Sequence, residues 1–311
     1  MTSNQKNIAL DPQEVLKRAQ RTLVESTDVQ AGKSKFAAKI DSAESRRTTD
    51  EAYFMKSVSG RVSPAAGVRA SGDLSTLAER FADATSGSLR LLAEAASQGV
   101  GLTKEICHDF LNCGVDVITT GNHVWDQKEI MEFIEKEERL LRPKNFFEPA
   151  PGKGFNIYNT KSNIKIGVLN LMGNVFMKKC EDVFEISEKF LKQYKLKEDY
   201  DLLVLDFHGE ITSEKNAIGH FFDGKATLVV GTHTHIPTND ARILKNGTGY
   251  QTDAGMCGDY DSVIGMNTEN SLNRFLKKNS IKHFPAIGDA TLCGVIVDCN
   301  IETGLANNIE S

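Results

Sequence analysis

Val115-Asp116-Val117-Ile118-Thr119-Thr120-Gly121-Asn122-His123 reads as a short β-branched strand running into a glycine turn that ends on an amide and an imidazole. β-Branched side chains suit a pleated strand, and glycine punctuates it. Two later stretches repeat the pattern: a strand over residues 201–207 leads into His208-Gly209-Glu210, and one over 226–230 into Gly231-Thr232-His233-Thr234-His235. Further strands are expected over 164–171, 249–252 and 291–297. Helices are expected from about Asp126, with Ile130, Phe133 and Ile134 inward, and near 184–194. Strands alternating with helical stretches predict a layered α/β fold. In such folds sites gather beyond the carboxyl ends of strands, so those ends are where chemistry is sought.

Composition narrows the function classes. The 311 residues are 40% hydrophobic and 25% charged, a globular mixture able to bury a core. The net charge of −5 argues against a protein that grips nucleic acid by its phosphates, though not against a small anionic substrate. The longest apolar runs, such as 202–205, fall far short of a bilayer span, and no secretory pattern opens the chain, so a cytoplasmic setting without membrane contact is expected. Six cysteines with no CxxC pair read as reduced bystanders.

The chain is uneven along its length. Residues 1–99 carry 14 Lys and Arg against 12 Asp and Glu, near +2, which leaves the remainder near −7. Asp11-Pro12-Gln13-Glu14 has the signature of a helix start, followed by Val15, Leu16, Ala19 and Leu23 at helical spacing. Residues 31–50 read as linker, and a second helix is expected over 74–85.

Four of the seven histidines sit at the three strand ends. Imidazole is the commonest transition-metal ligand, and amide or carboxylate oxygen complements it. His233 and His235 share a side if the strand continues through them, whereas on a turn they flank a metal from different directions. His108, His220 and His283 lack such context and read as structural or surface residues. The charge runs 135–142 and 189–197 read as solvated helix faces. Trp125 packs near substrate or wedges its loop against the core, and Glu210 and Glu214 are candidates to orient ligands from behind.

From about residue 99 to 297 the chain resembles the YmdB-like family of calcineurin-type metallophosphoesterases. The segments that carry the resemblance are Gly101-Leu102-Thr103, Thr120-Gly121-Asn122-His123-Val124-Trp125-Asp126 and Leu141-Arg142-Pro143-Lys144-Asn145-Phe146, followed by Asp206 to Lys215, Val230 to His235, and Asp253-Ala254-Gly255-Met256. The resemblance implies a layered α-β-β-α metallophosphoesterase sandwich over 91–311, preceded by an atypical, helical or partly disordered segment over 1–90. It implies two divalent metal ions, often iron or manganese, and hydrolysis of small phosphodiesters including 2′,3′-cyclic nucleotides. By motif, Asn122, His208 and His233 would bind one metal, His235 the other, and His123 would be the general acid. Family members often form homo-oligomers.

The front of the chain departs from the family pattern. The family opens with a strand ending in a GDVVG-like segment, whose aspartate binds a metal. The best counterpart here is Phe54 to Arg61, with Ser57 in the aspartate's place. Counting back from Gly101, Glu94 falls where the family has a glutamate bridging both metals, and Ala95 replaces an asparagine; the alternative makes 91–97 the end of an Ala-rich helix. On this reading one metal site is better preserved than the other. Either the enzyme is impaired, or the chain is a catalytically inactive regulatory or binding protein on the same fold. The loss of the first strand would also leave a sheet edge uncovered.

Overall fold

In the computed structural model residues 101–277 and 284–311 are described throughout; before them only four short strands are, by backbone. All of these lie within Glu51–Ser311, one of the two units into which the chain divides. The helices expected near 11–23 and 74–85, the linker over 31–50, and Glu94 and Ala95 lie outside the described residues.

The strands in chain order are β1 (Tyr53–Ser57), β2 (Arg61–Val62), β3 (Arg90–Ala93), β4 (Ala96–Ser97), β5 (Val117–Thr119), β6 (Leu140–Leu141), β7 (Phe155–Asn159) and β8 (Lys165–Met172). They continue with β9 (Leu202–His208), β10 (Leu228–Thr232), β11 (Arg242–Ile243), β12 (Gly249–Gln251), β13 (Gly258–Asp259), β14 (Ala290–Thr291), β15 (Gly294–Asn300) and β16 (Leu305–Glu310). Two six-stranded sheets result, ordered β16-β15-β1-β3-β5-β6 and β11-β12-β10-β9-β8-β7, besides the pairs β2–β4 and β13–β14. The first sheet runs parallel from β1 through β6, with β15 and β16 antiparallel at its far side. The second is parallel through β8, β9, β10 and β12, with antiparallel edges.

The front of the chain corrects two expectations. β1 lies between β15 and β3, so the first strand is not missing and covers the edge that its loss would have exposed. Arg90–Ala93 is a strand rather than the end of a helix, pairing in parallel with both β1 and β5. Its run of Leu91 and Leu92 between two strands gains ladder partners on both sides, and pairing outweighs the helical preference of the alanines around it.

Three apolar clusters show what packs on what. One joins Val117, Leu141, Val295 and Val297 of the first sheet to Ile166, Val168, Leu202, Leu228 and Val230 of the second. Another sets Leu169, Leu171, Leu203, Leu205 and Val229 of the second sheet against Val183 and Phe190 of the helix Val183–Gln193 and Ile218 of the helix Thr212–Phe221. Neighbouring residues of β8 and β9 thus go to opposite clusters, as the two-residue period of a strand requires. Strands covered on both faces read as continuous apolar runs, and those of β8 and β9 do. The third cluster packs Cys107, Phe110 and Leu111 of the helix Lys104–Asn112 with Ile118, Ile130, Phe133 and Ile134. The expected helix after Asp126 shrinks to Ile130–Phe133, though all three apolar residues point inward as expected. Because β5, β9 and β10 are parallel members of their sheets, their carboxyl ends open toward the loops that carry the imidazoles.

Candidate active site

His208 is the last residue of β9 and is fully buried. Its Nε2 stands 2.7 Å from Asn122 Oδ1 and 3.0 Å from His233 Nδ1, so amide oxygen and two ring nitrogens converge from the ends of three strands in two sheets. The approach is possible because residue 121 is glycine: a Cβ there would lie 2.4 Å from the His208 ring. His233 lies one residue beyond β10 with φ 102°, and His235 follows with φ 67°. Side chains at such φ cost on the order of 1–3 kcal/mol each and persist where the surroundings enforce them. The enforcement is visible: Asp253 Oδ2 accepts from Thr234 N at 3.1 Å, from Thr234 Oγ1 at 2.8 Å and from Lys215 Nζ at 2.6 Å. Asp253 and Lys215 are each about 1% exposed.

The strand therefore does not continue through both histidines, and they face different partners. His235 donates from Nδ1 to the Ile264 carbonyl at 2.8 Å. His233 Nε2 meets Glu210 Oε2 at 2.9 Å; a carboxylate only accepts, so the proton lies there and the His233 lone pair faces His208. Burial, and then the charge of neighbouring groups, holds the His208 imidazole well below its ordinary range, so it is neutral near pH 7. Burial also lowers His233, with Glu210 opposing.

His123 is partly exposed and shares a 2.6 Å contact between Nδ1 and Asp126 Oδ2. Burial would raise the Asp126 carboxyl, but the bond to His123 and the charge of Lys178 override it and hold it below the usual range. Lys178 Nζ also donates to the Asn122 carbonyl at 2.6 Å, pinning the loop that carries both residues.

Behind the cluster lies a carboxylate that no strand-end motif singles out. Asp206, fully buried in β9, accepts from Thr119 Oγ1 at 2.6 Å and from Thr232 Oγ1 at 2.8 Å. Burial pushes its pKa up to about 6 against the lowering effect of those two hydroxyls. Its signal in the sequence is a carboxylate closing the otherwise apolar run Leu202-Leu203-Val204-Leu205. Of the other candidates, Glu210 meets a ring nitrogen as expected. Glu214 instead accepts from Asn174 N at 2.8 Å and holds a loop, and Trp125 wedges against Phe146 at 6.0 Å between ring centroids. Ser57 ends β1, and β3 ends one residue before Glu94. Among the described residues no three His, Cys, Asp or Glu side chains form a ready metal-holding group. The convergent trio includes an amide, which such a group does not count.

A mixed α/β fold whose strand ends gather histidines and an asparagine defines a hydrolase of the metallophosphoesterase kind. The chain belongs to the YmdB-like protein family, whose model matches residues 90–311. It is 42% identical over 217 residues to the 2′,3′-cyclic-nucleotide 2′-phosphodiesterase of Bacillus subtilis strain 168, covering 70% of this chain and 81% of that one. Its fold matches the crystal structure of a hypothetical protein from Thermus thermophilus with a TM-score of 0.71 and 33% identity, over 83% of this chain and 96% of that one. A novel phosphatase from Mycoplasma pneumoniae matches equally, with a TM-score of 0.71, 30% identity, and 83% and 92% coverage. No helix of the described residues is long and apolar enough to cross a membrane.

Proposed function

We propose that the protein is a metal-dependent phosphodiesterase acting on small phosphodiesters such as 2′,3′-cyclic nucleotides. One observation carries the reading: Asn122 Oδ1 and His233 Nδ1 both stand within 3.0 Å of His208 Nε2. Three small donors this close, in a buried setting where His208 is neutral, fit a divalent cation. Asn122, His208 and His233 would hold it, with Glu94 as a fourth ligand and His235 serving a second ion; iron or manganese suits the mixed nitrogen and oxygen set. When bound, such ions polarise phosphoryl oxygens and lower the pKa of water.

The chain's own residues supply the remainder. His123, next to Asn122 and oriented by Asp126, is placed to protonate the leaving alkoxide. Glu210 orients His233, and Lys178 pins the Asn122 loop. The layered α-β-β-α arrangement belongs to the same reading and is supported by the three apolar clusters. So does the division into a segment over 1–90 and a catalytic domain over 91–311, with β1 contributed by the former. A serine ending β1 in place of a carboxylate supports a weaker second metal site and reduced turnover. A reducing, cytoplasmic setting and assembly into homo-oligomers complete the proposal, the latter checked by light scattering.

The test is metal content by elemental analysis together with hydrolysis of 2′,3′-cyclic AMP by the full chain, alongside Asn122→Ala and His208→Ala. Metal-stimulated turnover that falls at least 100-fold in both variants is expected. Parent protein that binds no ion after reconstitution with iron or manganese, or variants as active as the parent, would overturn it.

A further inference from the structure

His208 can present a lone pair from Nε2 only if its ring proton sits on Nδ1, and for that proton the acceptor at Nδ1 competes with Asn122 Oδ1, 2.7 Å from Nε2. Nδ1 stands 3.1 Å from Thr232 Oγ1. The Thr232 hydroxyl has a single proton, and that proton is directed to Asp206 Oδ1 at 2.8 Å. Both Asp206 oxygens act as acceptors, since Thr119 Oγ1 donates to Oδ2 at 2.6 Å and Asn170 Nδ2 reaches the same oxygen at 3.4 Å. Having given its proton to the carboxylate, Thr232 can only accept from His208.

We propose that Asp206 and Thr232 are positioning residues that bias His208 to the Nδ1–H tautomer, leaving the Nε2 lone pair to meet a cation between it, Asn122 and His233. The inference rests on the metal-site reading for its functional meaning, but not for its geometry.

The strand register builds this relay. His208 of β9 lies directly beside Thr232 of β10, and Asp206 precedes His208 by two residues, on the same face. All three side chains are at most 1% exposed, so no bulk water competes for the protons. Asp206 does a second job through Thr119, the last residue of β5 and three residues before Asn122. One carboxylate in the second sheet thus orients the acceptor behind one candidate ligand and ties down the strand that delivers another. Asn170 reinforces the seam by accepting from Thr120 N at 3.4 Å.

The experiment uses metal-free full-length protein with 15N-labelled histidine. Long-range 15N–1H correlation spectra report the His208 tautomer, and titration with manganese reports affinity. The parent is expected to hold a larger Nδ1–H fraction of His208 than Thr232→Val does, with Asn122 Oδ1 drawing the remainder to Nε2. Thr232→Ser, which keeps the hydroxyl, should retain the parent's fraction and bind manganese within about threefold of the parent. Thr232→Val should weaken binding by about 10–100-fold, the usual cost of losing a partner behind a metal-bound histidine. Asp206→Asn can donate to Thr232, freeing the hydroxyl proton for Nδ1, so it should move the ring proton to Nε2. A parent Nδ1–H fraction no larger than that of Thr232→Val, or Thr232→Val binding manganese as tightly as the parent, would overturn the proposal. If even the parent binds no manganese, the metal-site reading fails separately, and the tautomers of the parent and Thr232→Val still decide the relay.

Discussion

Gly121 is where a single atom decides the site. Its hydrogen faces the His208 ring at a distance a methyl group cannot occupy, since the added carbon would lie 2.4 Å from ring atoms. Gly121→Ala is therefore expected to push His208 away from Asn122 and to weaken manganese binding at least tenfold, at a stability cost of about 1–3 kcal/mol for overpacking. Calorimetric titration and urea unfolding of the same variant check the two effects. The residue identities at this scale were legible from the sequence: Asn122, His123, His208, Glu210 and His233 stand together around one place. The protons were not legible. Which ring nitrogen faces inward depends on Thr232 and Glu210; Glu210 was readable as a ligand-orienting residue, but Thr232 was not, nor which nitrogen either one meets.

At the scale of elements, the helix Thr212–Phe221 holds two loops through adjacent charged residues of opposite sign. Glu214 accepts from the backbone of Asn174, and Lys215 pairs with Asp253 beneath the His233–His235 turn. Lys215→Met would leave the Asp253 carboxylate buried without a cation, and is expected to cost about 3–5 kcal/mol. Replacing Asp253 by leucine in the same chain should recover part of that loss, and urea unfolding of the single and double variants measures both. A second prediction concerns β11 and β12, which Asp240 joins by bonding Arg242, Thr238 and Thr252. Burial would raise the Asp240 carboxyl, but these partners lower it from its ordinary 3.8 to about 2. A carboxyl lowered by folding stabilises the protein above its unfolded pKa and stops doing so as pH falls through the folded value. Asp240→Asn should therefore be less stable than the parent at about pH 6 and converge on it between about pH 4 and 2, as followed by thermal melts. The sequence pattern located most strands of the second sheet because their apolar runs are continuous. It missed the helix Thr212–Phe221, whose buried face includes Glu214, Lys215 and Gly219 and so shows no apolar stripe.

For the molecule as a whole, the site lies across the two sheets. Asn122 follows a strand of the first, whereas His208 and His233 belong to strands of the second or the turn directly after one. An ion held by all three would clip the sheets together and stabilise only the folded state. At an ion concentration about 100 times the dissociation constant, that linkage amounts to about 2.7 kcal/mol. Chelation is thus expected to lower the melting temperature of the parent by several degrees and to leave that of Asn122→Ala nearly unchanged. Equal shifts in both proteins would place the stabilising ion elsewhere.

Local chemistry by itself determined which strand ends carry imidazole, since β-branched runs, glycine turns and ligand-type side chains are all visible within a few neighbouring residues. It also placed the apolar faces of β8 and β9, because burial on both sides leaves no polar alternation. Tertiary structure decided that Tyr53–Ser57 serves as the first strand, a segment the sequence matched only poorly to its family counterpart through Phe54 to Arg61. That segment has no strong pattern of its own, and only β15 and β3 give its backbone partners. Tertiary structure alone decided that Asp206 faces Thr232 and Thr119. Residues 87 positions apart become hydrogen-bonded neighbours only when the two sheets pack, and no local rule carries information over that distance.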